Sequence, residues 1–126
     1  MKLNYYSLVY LLLAVVSGIA YGFAGTIMKK GVVNFKFSSN VFELLGRVVT
    51  AKYIMISLVF SATGLILYMI IIRKTEIITS TLIIQGVLFL STIIFASLIF
   101  KETISPSKIL SLVLIMAGIA VLLAGR

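Results

Sequence analysis

The chain has 126 residues, of which 62% are hydrophobic and 11% charged, where a soluble domain carries roughly 45–50% and about 25%. Its mean hydropathy is +1.26, so a water-soluble fold of this size has nowhere to put its apolar surface. That excludes a soluble enzyme and a free nucleic-acid-binding domain, despite a net charge of +8, and leaves a single-domain integral membrane protein.

Charges divide the chain into long neutral stretches. The first, Leu3 to Met28, holds 26 uncharged residues. It exceeds the apolar core of a secretory signal, about 7–15 residues, and is read as a retained helix over about 5–28. Ala14, Gly18 and Gly22 recur at every fourth position, with Gly25 close to the same face. Such spacing lets another backbone approach closely. The approaching group is a helix of the same bundle, a second subunit or a substrate.

Lys29 to Lys52 is a 24-residue connection. Within it, Ser39 to Gly46 reads as a short capped helical turn with a glycine stop. Phe35, Phe37, Val41, Phe42 and Leu44 interleave with Lys36, Arg47 and Lys52, so the segment over about 31–47 is expected to lie along the membrane surface.

The next neutral stretches are Tyr53–Ile72, Ile77–Phe100 and Ile109–Gly125, of 20, 24 and 17 residues. A bilayer core of about 30 Å takes about 20 helical residues, and in lipid the backbone must be satisfied within each segment. Helices are therefore expected over about 50–72, 77–100 and 106–124. Arg73-Lys74-Thr75-Glu76 is a tight turn between two of them. Ser105 is placed to cap the last helix, with Pro106 at its first position. The fold class is all-α, a four-transmembrane-helix bundle.

With four spans both termini share one side. The N-terminus, second link and C-terminus carry Lys2, Arg73, Lys74 and Arg126, whereas the first and third links carry Lys29, Lys30, Lys36, Arg47, Lys52, Lys101 and Lys108. The positive-inside rule leans towards cytoplasmic first and third links in an inner (plasma) membrane. Basic residues at this depth also hold anionic headgroups, so membrane lipids, and not nucleic acid, account for the charge.

The chain has no Cys, no His and only the acids Glu43, Glu76 and Glu102. No thiolate, imidazole or carboxylate set is available for a metal, a cofactor or catalysis, which points away from an enzyme. None of the four neutral stretches contains an Asp, Glu, His, Lys or Arg, whereas proton- and ion-coupled pumps carry one at membrane depth. The deep polar groups are neutral: Tyr10, Ser17, Tyr21, Ser57, Ser61, Thr63, Tyr68, Thr81, Gln85, Ser91 and Thr92. Most Ser and Thr in such helices bond back to their own backbone. The Gln85 amide needs a partner across the bundle or a ligand. Gln85, Tyr21, Tyr68, Ser61 and Thr81 are thus the candidate substrate-binding groups. Lys30, Arg73, Lys74 and Lys101, at the helix ends, are candidates for a phosphate or headgroup.

From Phe42 to Gly125 the layout resembles the EamA-type proteins of the drug/metabolite transporter superfamily. The resemblance lies in Leu44-Leu45-Gly46 and Arg73-Lys74-Thr75-Glu76-Ile77, and most of all in Phe100-Lys101-Glu102-Thr103-Ile104-Ser105-Pro106 followed by Ile115-Met116-Ala117-Gly118-Ile119-Ala120-Val121-Leu122-Leu123. Single four-helix units of that superfamily include the small multidrug resistance exporters, which rely on a glutamate in helix 1, and paired flippase subunits for undecaprenyl-phosphate aminoarabinose. No residue from Leu3 to Met28 is acidic here, and the long first link is more similar to the flippase branch. The resemblance implies a homodimer, or a heterodimer with a similar four-helix subunit, that moves a lipid-linked sugar or similar amphipathic metabolite between leaflets. An exporter of drugs or metabolites, or an accessory subunit of a membrane glycosyltransferase or transporter, are the other functions it leaves open.

Overall fold

The computed structural model describes residues 5–125, with the side chains described from Leu8 onward. The protein is all-helical: α1 (Tyr5–Val32), α2 (Val41–Thr50), α3 (Lys52–Ile72), α4 (Ile77–Phe100) and α5 (Pro106–Ala124). Four of these, all except α2, are long and apolar enough to cross a membrane.

α1 runs four residues beyond the expected end at Met28. Lys29 and Lys30 are good helix formers, and their charge suits the carbonyl end of the helix dipole. At 28 residues the helix rises about 42 Å, more than the hydrocarbon thickness, so this last turn reaches headgroup depth. Gly31 lets Ile54 of α3 pack against the turn: a Cβ there would sit 2.8 Å from Ile54 Cγ1.

The first link is mostly helical. Asn40 caps α2, its side-chain oxygen accepting from the Phe42 amide at 3.1 Å. The expected glycine stop does not occur: α2 passes through Gly46 and ends at Ala51, whose ψ of 100° breaks the helix before α3 begins at Lys52. An α-helix interior accepts glycine at a modest cost, and Gly46 does not take the left-handed conformation of a glycine stop: no described glycine has a positive φ. α3 accordingly starts two residues after the expected position 50.

Ser105 also differs from expectation. Its backbone is extended as a cap requires, and Pro106 follows at the helix start, but the hydroxyl makes no cap bond. It bonds the Ser107 hydroxyl instead, at 2.9 Å.

α1 is the centre of the bundle, packed on α3 along one face and on α4 along another; α5 meets α4 alone and α2 meets α3 alone. Two small-residue stripes make this possible. Ser17, Ala24 and Gly31 face α3, where they meet Gly64, Ser57 and Ile54 in antiparallel order. Gly18 and Gly22 face α4, where they meet Val87 and Ser91 in parallel order.

The three serines at these seams do not bond back to their own helix alone, as isolated Ser would. Ser17 donates to the Gly64 carbonyl at 3.0 Å, Ser57 to the Ala24 carbonyl at 2.6 Å, and Ser91 to the Gly18 carbonyl at 3.3 Å. Ser17 and Ser57 are 0% and 1% exposed, so these bonds are shut away from competing donors. Phe23 of α1 adds edge contacts to Phe60 of α3 and Phe95 of α4, with ring centroids 4.7 Å and 5.3 Å away.

Candidate functional site

The glycine stripe of α1 is occupied within the bundle. A Cβ on Gly18 would lie 2.8 Å from the Ile84 carbonyl oxygen, and one on Gly22 would lie 2.0 Å from Ser91 Oγ. Both glycines are therefore helix-packing residues toward α4, leaving neither free for a second subunit. Gly25, expected on the same stripe, has nothing within 4 Å of its Cβ position and is exposed. The spacing from Gly22 to Gly25 is three residues, a rotation of about 300°, which carries it off the α4 seam.

Four of the five candidate substrate-binding groups, Tyr21, Tyr68, Thr81 and Gln85, converge on one cavity of about 210 Å³ between α1, α3 and α4. Its lining is Tyr21, Tyr68, Thr81, Ile84, Gln85 and Leu88. The α4 members stand at positions 81, 84, 85 and 88, the spacing of one helical face. Tyr21 enters from α1 because Gly64 leaves room for it; a Cβ at Gly64 would meet the ring at 3.0 Å. Tyr68 Oη and Thr81 Oγ1 are 3.0 Å apart, a hydrogen bond joining α3 to α4. Gln85 is exposed, and among the described residues its amide has no hydrogen-bond partner. The cavity walls carry no ionisable acid or base other than the two phenols.

Ser61 does not belong to this group. It precedes Tyr68 by seven residues, two turns or about 10 Å along α3, and Gly64 with the Tyr21 ring lies between them. The tyrosine that fills the Gly64 notch thus ends the cavity before it reaches Ser61.

The basic candidates are split between opposite ends of the bundle. Lys30 closes α1, its Nζ 4.9 Å from the Tyr53 ring centroid, and Lys101 caps α4 at the same end. Arg73 and Lys74 lie in the α3–α4 turn at the other end, both exposed. No single phosphate can touch all four. Arg73 is five residues from Tyr68, about 7.5 Å of helical rise, so the Arg73–Lys74 pair flanks the cavity and the two lysines do not.

At the opposite end Lys29 forms an ion pair with Glu102 and lies over the Phe100 ring, 4.8 Å from its centroid. This ties the end of α1 to the α4–α5 turn. The bond and charge of Lys29 hold the Glu102 carboxyl below its ordinary range.

Sequence reasoning missed the interhelical role of Ser17 and Ser57 and the notch glycines Gly31 and Gly64. The signal that could have found them is spacing: Ser17, Ala24 and Gly31 recur every seven residues, as do Ser57, Gly64 and Ile71. Compared with known proteins, the chain matches no family model, no curated protein and no solved structure.

Proposed function

We propose that the protein is a small transporter or flippase subunit of the plasma membrane that moves an amphipathic, lipid-linked metabolite between leaflets. The observation that carries this reading is the Gln85 amide, which stands on a membrane-spanning helix, lines the cavity between α1, α3 and α4, and has no hydrogen-bond partner among the described residues. An unsatisfied amide in an apolar medium costs about 1–3 kcal/mol, and a ligand hydroxyl or carbonyl removes that cost.

The chemistry of the lining suits a neutral polar group. Two phenols, a threonine hydroxyl and an amide both donate and accept, which matches a sugar ring better than an organic cation. At about 210 Å³ the cavity is smaller than the about 300–1,000 Å³ of drug-sized sites, so it takes one ring-sized headgroup while the tail stays in lipid. In this reading Arg73 and Lys74, at the exposed α3–α4 turn, hold the linking phosphate. Movement down a gradient needs no charged group at membrane depth, in keeping with the stretches Leu3–Met28, Tyr53–Ile72, Ile77–Phe100 and Ile109–Gly125, which contain no Asp, Glu, Lys, Arg or His. The working unit in this reading is a homodimer or a pair with a similar subunit, since α5 buries no residue within the monomer.

Native mass spectrometry of the protein released gently from its own membranes tests the proposal. A dimer carrying a polyprenyl-phosphate species, lost in Gln85→Leu while the dimer survives, is the expected result. A complex with a different membrane protein and no specific lipid overturns it in favour of an accessory subunit.

A further inference from the structure

The end of the bundle formed by the α1–α3 link and the α4–α5 turn is chemically unlike the other. It carries seven basic side chains, Lys29, Lys30, Lys36, Arg47, Lys52, Lys101 and Lys108, against the two acids Glu43 and Glu102. Both acids are engaged: Glu102 with Lys29, and Glu43 with Arg47 and the Ser38 hydroxyl. Among the described residues Lys36 and Lys52 pair with no carboxylate, and both are exposed.

α2 sits in this basic field with its greasy side outward. Leu44, Arg47 and Val48 are its partly covered positions; Phe42, Leu45 and Val49 are 86%, 57% and 65% exposed. These three lie within one helical quadrant, since steps of three and four residues bring a helix back to nearly the same direction. The polar side is spent internally. Arg47 pairs with Glu43 and donates to the Lys36 carbonyl at 3.1 Å, and Ser38 donates to Glu43 at 2.7 Å. The segment before α2 is thereby folded onto its polar face, and the apolar face is the one left to meet a partner.

We infer that α2 is a docking surface for an anionic lipid leaflet, with Phe42, Leu45 and Val49 among the acyl chains and Lys36 and Lys52 on the headgroups. The occupant follows from position and charge. The helix is joined by Ala51 alone to a membrane-spanning helix, so its apolar face lies at interface depth, where amphipathic helices bury such faces. A net charge of +5 on this end selects anionic over zwitterionic headgroups. The inference is independent of what the cavity carries.

The chain contains no Trp, so Phe42→Trp introduces a single emission probe at a position whose side chain touches little. The full-length variant is placed in phosphatidylcholine vesicles containing phosphatidylglycerol, with bromine on the acyl chains of one lipid or the other at equal mole fraction. The expected result is blue-shifted emission quenched by both lipids, and more strongly by brominated phosphatidylglycerol, by up to about fivefold per lysine at low salt. Lys36→Gln with Lys52→Gln should lessen the preference and leave the quenching. Leu45→Trp should report the same depth. Solvent-like, unquenched emission overturns the inference, as does blue-shifted but unquenched emission, which means a protein such as a second copy covers the face. Equal quenching by the two lipids overturns the headgroup selectivity.

Discussion

Gly22 of α1 and Ser91 of α4 are packed so closely that a Cβ on the glycine would lie 2.0 Å from the serine hydroxyl oxygen and 3.0 Å from the Leu88 carbonyl. The hydroxyl can turn aside, but the carbonyl belongs to a helix and cannot. At Gly18 the obstacle is again backbone, the Ile84 carbonyl at 2.8 Å. Gly18→Ala and Gly22→Ala should therefore each destabilise the bundle by about 1–3 kcal/mol. Gly25→Ala, facing open space, should be neutral or stabilise by up to about 1 kcal/mol, because alanine is the better helix former. Reversible unfolding in mixed micelles checks all three, and equal effects at the three positions would refute this packing.

Ser17 and Ser57 bond α1 to α3 in opposite directions, each to a carbonyl of the other helix. Such bonds in a membrane protein contribute about 0.6 kcal/mol on average and at most about 1.7 kcal/mol. Ser17→Ala and Ser57→Ala should each cost within that range. The two sites are seven residues apart along α3, so the double variant should lose close to the sum. A markedly larger joint loss, seen in the same unfolding titration, would mean that the two bonds act as one unit.

Lys101 ends α4 with φ 54° and ψ 34°, the left-handed conformation. A side chain there costs roughly 1–2 kcal/mol that glycine does not incur. Lys101→Gly should raise stability by about 1 kcal/mol, discounted for glycine's greater freedom in the unfolded chain. A loss of stability instead would show that the lysine side chain makes a compensating contact with lipid headgroups.

Glu102 and Glu43 both titrate below the ordinary carboxylate range, Glu102 because Lys29 bonds and attracts it, Glu43 because Ser38 and then Arg47 bond it. A depressed native value means the charged form is favoured by folding. The contribution is present above the unfolded carboxylate pKa and lost as pH falls through the lowered native value. Acidification through that window should free the α4–α5 turn from α1, seen as greater mobility of a spin label at the exposed Thr103. Glu102→Gln should give the mobile label at neutral pH and remove its acid dependence; mobility unchanged in that variant would refute the tether.

Four spanning helices follow from the sequence because the hydrocarbon core imposes a length and forbids charge, and both are local properties that Leu3–Met28 or Ile77–Phe100 display without reference to any other segment. The same holds for α2's existence, signalled by the stretch Ser39 to Gly46 and by apolar residues interleaved with Lys36, Arg47 and Lys52. Helix ends were less legible. α1 continues past Met28 because Lys29 and Lys30 favour helix and suit its carbonyl end, and α2 continues past Gly46 because a helix interior accepts glycine at modest cost.

Which residues meet is a different kind of fact. That Tyr21, Tyr68, Thr81 and Gln85 share a cavity while Ser61 does not depends on the register of three helices. That register is set by notches such as Gly64 and by hydroxyls such as Ser57 reaching a neighbour's carbonyl. A single stretch of sequence shows which groups are polar and on which face, but it holds no information on the axial offset of the helix across from it. Gly18 and Gly22 announced a close approach, and only the packed bundle decided that the approaching helix is α4, since close packing through a missing Cβ is a property of two surfaces together.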